Sequence, residues 1–282
     1  MKNRTITNIV FAHEHAMGDM MIKQPLPSEK VAYLDPFVLL HHGQNEIPDN
    51  FELRHAGVDP HPHRGFAPVT FVFEGGVHHR DSRGNEGTVF KGGTQWMNAG
   101  MGIIHSERPA VAGLQEIIQM WVNTPESHKM DQPGYFPLKA EDTPTYKSED
   151  GLVNVSVVTG NLLGKTGPIP TLSAIDSAMI RGSKGGKVYI PVVESHNAFL
   201  YVLGGKVKVN GQEADQHYMT VFGNDGEGFE LELLEDTKAL FMSGEPSGEK
   251  IVAKGPFVMS NETQIMEAYR DYRVGKMGVL IE

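Results

Sequence analysis

Short stretches of alternating apolar and polar residues are the most prominent pattern in this chain. Val69, Phe71 and Phe73 would share one face of an extended strand, because successive side chains of a strand point to opposite faces. Residues 153–157 and 229–233 show the same alternation. Because 32 Gly and 17 Pro are dispersed between such stretches, we predict an all-β fold with many short strands, arranged as a barrel or a sandwich.

One hairpin is predicted with its turn. The alternating stretch Lys206–Val209 leads directly into Asn210-Gly211. This dipeptide tolerates the positive backbone angles that a two-residue turn between antiparallel strands requires.

Helix is expected only near the C-terminus, from about Glu262 to Arg273, with Ser260 or Asn261 as the cap. The apolar residues at helical spacing, which would pack onto the β-structure, are Ile265, Met266, Tyr269 and Tyr272.

The chain is long enough for two ordinary domains, at 282 residues. Residues 125–150 are polar and rich in turn-forming residues. We therefore predict an N-terminal domain over 1–145 and a C-terminal domain over 146–282, the second including the helix.

Composition excludes several classes of function. The chain has no cysteine, which excludes disulfides, thiolate nucleophiles and iron–sulfur clusters. Its formal charge of −10 disfavours direct binding of nucleic acid over a broad surface. We find no apolar run long enough for a membrane span and no secretory signal at the N-terminus. A cytoplasmic protein is expected.

Two histidine clusters are the strongest candidates for chemistry. His61 and His63 flank Pro62, so both imidazoles would point to one side of an extended segment. His105 and Glu107 repeat this spacing further along the chain. A chain with 13 histidines contains such a pair by chance fairly often, but the second cluster favours a metal site built from three imidazoles and a carboxylate. Pro62 would place the first cluster at a strand start, an edge or a bulge.

The second half looks like a relative of the first. Each half has an apolar strand followed by two glycines, at 75–76 and 204–205. Aligning these glycines places Ile190 and Val192 opposite the first two histidines, so we expect that the second half has lost the ligands. Glu194 and His196 lie two residues out of step, which leaves a second metal site possible but disfavoured.

Several motifs together resemble the pirin family. They extend over nearly the whole chain: HPHRGF at 61–66, FEGG at 73–76, QWMNAGMGIIHSE at 95–107, QMWVN at 119–123, LDPF at 34–37, GEP at 244–246 and GPFVM at 255–259.

The resemblance implies a bicupin, with two antiparallel jelly-roll-like β-barrels and one metal ion in the N-terminal barrel. It implies that His61, His63, His105 and Glu107 are the ligands, usually for iron. The expected cofactor is one divalent transition metal, Fe(II) first, although this donor set also suits Mn, Ni, Cu or Zn.

The resemblance also implies one of two functions. Some pirins are associated with quercetin 2,3-dioxygenase activity, and others act as redox-sensitive co-regulators of transcription. The primary hypothesis is an oxidoreductase that takes a flavonol-like aromatic and O2, with Glu107 as both ligand and general base. Phe66, Trp96 and Met101 are candidates to contact the substrate. The alternatives are a regulator that binds a partner protein, and an enzyme that uses the metal only as a Lewis acid.

Overall fold

The computed structural model describes residues 1–18 and 20–281, in which 26 strands and one α-helix are formed. The elements in chain order are β1 (Ile6–Phe11), β2 (His13–Met17), β3 (Met20–Leu26), β4 (Phe37–Ile47), β5 (Val58–His63), β6 (Phe66–Glu74), β7 (Gly76–Asp81), β8 (Glu86–Phe90), β9 (Thr94–Asn98), β10 (Ile103–Pro109), β11 (Gly113–Asn123), β12 (Gly134–Leu138), β13 (Thr145–Lys147), β14 (Val153–Thr159), β15 (Asn161–Leu162), β16 (Lys165–Thr166), β17 (Ile175–Gly182), β18 (Lys187–Pro191), β19 (Asn197–Gly204), β20 (Lys206–Val209), β21 (Gln212–Asp215), β22 (Tyr218–Phe222), β23 (Gly228–Leu233), β24 (Thr237–Gly244), β25 (Val252–Lys254), β26 (Phe257–Met259) and α1 (Glu262–Arg273).

The chain forms two compact units, and each unit combines two separate segments. The site unit contains Phe37–Glu141 and Ser247–Glu282, and the companion unit contains Met1–Pro36 and Asp142–Pro246. The division predicted from sequence, 1–145 and 146–282, differs at both ends of the chain. The N-terminal segment belongs to the companion unit and the C-terminal segment to the site unit. Long-range pairing explains the first of these differences, because β1 is hydrogen-bonded to β22 over the register from Ile6↔Phe222 to Phe11↔Tyr218.

The site unit contains two sheets of antiparallel strands. The smaller sheet has the order β5-β10-β7-β8, and the larger one contains β12, β9, β6, β11 and β4 as successive neighbours. In β6 the residues from Phe66 to Phe73 are all buried, because both faces of this central strand are covered. The expected alternation of Val69, Phe71 and Phe73 is therefore present, but the polar face that alternation normally implies is not.

The companion unit repeats this arrangement. Its smaller sheet has the order β18-β23-β20-β21, and its larger sheet the order β1-β22-β19-β24-β17-β14-β13. The predicted hairpin is confirmed, because Val209 pairs with Gln212 across a turn in which Asn210 has φ 49° and Gly211 φ 83°. The order of the smaller sheet matches that of the site unit, with β18 in the position of β5 and β23 in that of β10.

The mostly β fold with one C-terminal helix is confirmed. In the described residues the two sheets of each unit are hydrogen-bonded separately, with β5 and β8 as the edges of the smaller site-unit sheet. Closed barrels therefore stay a prediction. No helix in residues 1–18 and 20–281 is long and apolar enough to cross a membrane.

The C-terminal helix has the predicted bounds, Glu262–Arg273, and the Asn261 side chain accepts a hydrogen bond from the backbone N–H of Gln264 at 2.9 Å. The predicted apolar stripe was partly wrong. Ile265 is buried, but Met266 is 64% exposed and Tyr272 is 38% exposed. Ala268 takes their place, in a cluster with Phe257, Met259 and Met277.

Candidate metal centre

The pairing of β5 with β10 brings the two histidine clusters together. His105 lies directly opposite His61, and His63 projects to the same side as His61. One ring nitrogen from each of these three histidines lies within 4.8 Å of the other two. Pro62 is tolerated because β5 is an edge strand, and the register also shifts between His105 and Glu107.

Each imidazole is oriented through its Nδ1 atom. The Nδ1 of His61 lies 2.8 Å from the carbonyl oxygen of Asp59, and that of His63 lies 3.2 Å from the carbonyl oxygen of Pro256. A carbonyl can only accept, so both Nδ1 atoms donate, which leaves a lone pair on the Nε2 atom of a neutral ring. The Nδ1 of His105 has a nitrogen partner instead, the Nδ1 of His79 at 3.4 Å.

The Nε2 atoms of His61 and His63 approach each other closely, an arrangement that a bound cation would stabilise. The Nε2 atoms of His61 and His63 are 3.0 Å apart with a lone pair on each. The Nε2 of His105 is buried and has no hydrogen-bond partner. Unsatisfied buried nitrogens are costly in a folded protein. A metal ion accepting all three lone pairs removes this cost, so these residues fit the metal that the sequence predicts.

The site holds His63 and His105 in the neutral form that binds metals. Burial, followed by the proximity of His61, lowers the pKa of His63 well below its ordinary value. Burial and the neighbouring imidazoles of His61, His63 and His79 have the same effect on the pKa of His105. Protons therefore compete weakly with a metal ion near neutral pH.

Glu107 is held by polar side chains from the larger sheet. Its Oε1 accepts hydrogen bonds from Thr70 Oγ1 at 2.8 Å and from Gln95 Nε2, and its Oε2 accepts one from Gln119 Nε2 at 2.7 Å. Glu107 is not part of the three-histidine group found in the described residues. Its role as a fourth ligand stays a prediction.

Sequence reasoning gave Thr70 and Gln95 no role at the site. A signal was present for Thr70, a polar residue inside the apolar stretch from Phe66 to Phe73, and the structure leaves Thr70 and Gln95 only 2% and 3% exposed. Buried polar residues in such positions need partners.

A second polar layer lies beside His105. The Nε2 of His79 is 3.1 Å from Oδ2 of Asp81, and the His79 ring stacks on Tyr135 at 4.1 Å. Burial, then the charges of Glu107 and Asp81, raise the pKa of Tyr135, so it remains a phenol. Its hydroxyl donates to Gln95 Oε1 at 3.1 Å, which directs the amide nitrogen of Gln95 towards Glu107.

The three substrate-contact candidates have different surroundings. Phe66 is buried with its ring 4.9 Å from His63 and 4.4 Å from Trp121. Trp96 is 1% exposed and alternates with Gln95 on β9, so it lies on the face away from Glu107. Met101 is half-buried, and its carbonyl oxygen accepts a hydrogen bond from Arg64 at 2.7 Å. The structure thus brings Phe66 next to the imidazoles and does not bring Trp96 there.

The companion unit is apolar at the equivalent strand positions. Ile190, which aligns with His61, lies opposite Phe229 as His61 lies opposite His105, and Ile190 and Val192 belong to the core. His196 is buried beside Ser243, with its Nδ1 3.3 Å from the hydroxyl, whereas Glu194 is exposed. Neither residue belongs to a group of three potential ligands in the part of the chain that the structure describes.

A mostly β protein with three histidines that could hold one metal ion is thus defined, and comparison with known proteins gives its family. The model of the family "Pirin" matches residues 19–122, and that of the "Pirin C-terminal cupin domain" matches residues 178–278. The chain belongs to the pirin family.

Relatives match along nearly the full chain. A pirin-like protein of Solanum lycopersicum is 33% identical and covers 98% of this chain and 93% of its own length. A pirin-like protein of Caulobacter vibrioides is 36% identical, and the match covers 98% of this chain and 100% of that protein. A crystal structure of quercetin 2,3-dioxygenase from Acinetobacter baumannii has 33% identity and a TM-score of 0.92, and the match covers 99% of this chain and 100% of that one. The fold is therefore cupin-like, as in pirins.

Proposed function

We propose that this pirin is a cytoplasmic, metal-dependent dioxygenase that cleaves a flavonol-like aromatic with O2. The observation that carries the proposal is the convergence of one ring nitrogen from each of His61, His63 and His105 in a largely buried cluster. His61 is the one of the three that is partly exposed, so the cluster is accessible from its side. The likeness to the Acinetobacter baumannii quercetin 2,3-dioxygenase supports the substrate class.

Within this proposal each half of the chain, 1–145 and 146–282, corresponds to a cupin-type barrel, and the first holds one divalent metal. Fe(II) is the proposed ion. Mn, Ni, Cu and Zn suit the same nitrogen and oxygen donors. When bound, the metal supplies a Lewis acid and open positions for O2 and a substrate oxygen.

The protein's own residues prepare the acid–base chemistry. Glu107 Oε1 already accepts two hydrogen bonds, whereas Oε2 accepts one, from Gln119. Oε2 therefore has the greater remaining capacity to act as a ligand or to accept the proton of a substrate hydroxyl. The donors Thr70, Gln95 and Gln119 hold the carboxylate in one orientation throughout.

Aromatic side chains beside the cluster suit an aromatic substrate. The half-buried Trp121 has its ring 5.5 Å from that of His63 and rests on Phe66. We propose that Trp121, supported by Phe66, presents the stacking surface, with Met101 at the edge. Trp96, on the other face of β9, has no place in it.

The proposal is tested by the metal content and by the oxygen dependence of turnover. The purified protein is analysed for bound metal, and O2 uptake and loss of quercetin absorbance are followed under air and under argon. We expect turnover under air only, and its loss in His63→Ala together with the metal. His13→Ala is the matched control, because His13 belongs to the exposed His13-Glu14-His15 segment on β2. This variant should bind the metal and turn over quercetin as the unmodified protein does.

A fully metal-loaded protein that consumes neither quercetin nor O2 would refute the dioxygenase proposal. That outcome would favour the regulatory alternative, in which the metal state controls binding of a protein partner.

A further inference from the structure

We propose that Asp81 and His79 form a positioning pair that sets the protonation pattern of the His105 ring, and so makes its Nε2 available to the metal. The inference rests on the metal-binding part of the proposed function, and it is independent of the dioxygenase chemistry. The Asp81 side chain is hydrogen-bonded to His79, Arg83 and Asn85, and it would act on the ligand through His79.

The hydrogen bonds around Asp81 determine which atom donates and which accepts between Asp81 and His79. Oδ1 of Asp81 accepts from the backbone N–H of Arg83 at 2.8 Å and of Asn85 at 3.0 Å. Oδ2 accepts from the side-chain amide of Asn85 at 2.9 Å and lies 3.1 Å from Nε2 of His79. A carboxylate that accepts throughout leaves His79 as the donor, so the proton of His79 lies on Nε2.

The position of the proton on His79 determines which nitrogen of His105 is protonated. A ring with its single proton on Nε2 presents a lone pair at Nδ1, and the Nδ1 of His79 lies 3.4 Å from the Nδ1 of His105. The His105 ring must then donate from Nδ1, and its Nε2 carries the lone pair that has no partner within the protein. Histidine ligands of metals commonly have the other ring nitrogen fixed by a hydrogen-bond acceptor. Here the acceptor is a second histidine, itself oriented by a carboxylate.

The surroundings keep His79 in place for this task. Its ring is 1% exposed and is stacked on Tyr135 with an angle of 6° between the two planes. The neighbouring strand β10 places His105 opposite Asp81, so the pair and the ligand are aligned by the register of β7 and β10. The ring therefore has no room to turn and exchange its two nitrogens.

Replacement of Asp81 by asparagine tests the donor–acceptor order of these hydrogen bonds and keeps the shape of the side chain. The two backbone N–H groups of Arg83 and Asn85 require an acceptor at Oδ1, so the new amide nitrogen must face His79 and the side-chain amide of Asn85, which must turn over to present its oxygen. That nitrogen donates, which moves the His79 proton to Nδ1 and forces His105 to protonate Nε2. We expect Asp81→Asn to weaken Ni²⁺ binding by about 10- to 100-fold, the usual range for partners of ligand histidines.

A comparison with alanine separates positioning from structural support. Asp81→Ala lets His79 adopt either tautomer, so the loss of affinity should be smaller than for asparagine, although alanine leaves two backbone N–H groups unsatisfied and should lower the melting temperature more. Glu86→Gln is the control, since Glu86 makes a similar contact with His78 at 3.3 Å but is exposed. It should leave Ni²⁺ affinity unchanged. Greater loss with alanine than with asparagine would overturn the proposal.

The protonation pattern can also be measured directly in the metal-free protein. Nitrogen-15 shifts of the imidazoles report which ring nitrogen carries the proton. We expect His105 protonated at Nδ1 in the unmodified protein and at Nε2 in Asp81→Asn. An Nε2 proton on His105 in the unmodified protein would overturn the inference even if metal binds. If His105 is protonated at Nδ1 as expected but the protein does not bind Ni²⁺, the metal site is refuted and the pairing of Asp81 with His79 still holds.

Discussion

The buried ion pair between Arg64 and Asp271 offers a sharp test of how the C-terminal helix supports the metal centre. Arg64 directly follows His63, and both of its terminal nitrogens lie 3.2 Å from Oδ2 of Asp271. The other oxygen of Asp271 accepts from Arg270 and Lys276, each at 3.0 Å. Arg64 is 3% exposed and Asp271 is 7% exposed. This carboxylate is thus the main counter-charge of a buried guanidinium beside a proposed ligand.

The expected cost of Asp271→Asn follows from that burial. Removing one partner of a buried pair leaves the other charge uncompensated, which typically costs about 3–5 kcal/mol. In domains of roughly 150–250 residues each kcal/mol lowers the melting temperature by about 2–4 °C. We therefore expect a decrease of roughly 10 °C in the transition of the site unit. The side chain keeps its shape, so lost packing contributes little.

The assay is thermal unfolding of both variants at neutral pH, with Glu52→Gln as the matched control. Glu52 also accepts two hydrogen bonds from a guanidinium, that of Arg54 at 2.9 and 2.7 Å, but both side chains are more than half exposed. Exposed pairs contribute about 1 kcal/mol or less, so the control should shift the transition by only a few degrees. Equal shifts in the two variants would refute the argument that burial makes the Asp271 pair important.

Two further predictions concern the same region. Burial by itself would raise the pKa of Asp271, but hydrogen bonds from Lys276, Arg270 and Arg64 lower it from 3.8 to about 2. Its contribution to stability should therefore be complete above about pH 4 and disappear as the pH falls through 2. Urea unfolding of the unmodified protein and of Asp271→Asn between pH 5 and 2 should show that the difference between their free energies of unfolding becomes smaller. A constant difference would contradict this. Gly65→Ala should destabilise the site unit and weaken Ni²⁺ binding, because Gly65 has φ 82° and an added methyl group would collide with the carbonyl oxygen of Val258. The matched change Gly275→Ala, at φ 77° with open space around it, carries only the backbone strain, and equal losses at both glycines would show that the collision has no effect.

Local patterns in the sequence determined much of this protein. The bounds of the C-terminal helix, the Asn210-Gly211 hairpin and the mostly β fold follow from periodicity and turn chemistry. The histidine spacing in His61-Pro62-His63 also acts locally, because residues two apart on a strand project to the same side. These features depend on neighbours within a few residues, which is why they are visible in the chain itself.

Tertiary structure decided what surrounds those local features. Only the pairing of β7 with β10 places His79 beside His105, and only the larger sheet brings Gln95 and Gln119 to Glu107. The same holds for Met266, whose helical spacing suits a core position although it faces solvent. Such contacts depend on strand register and on which face each element covers. Both are properties of segments distant in sequence, and the hydrophobic pattern of one segment does not contain them.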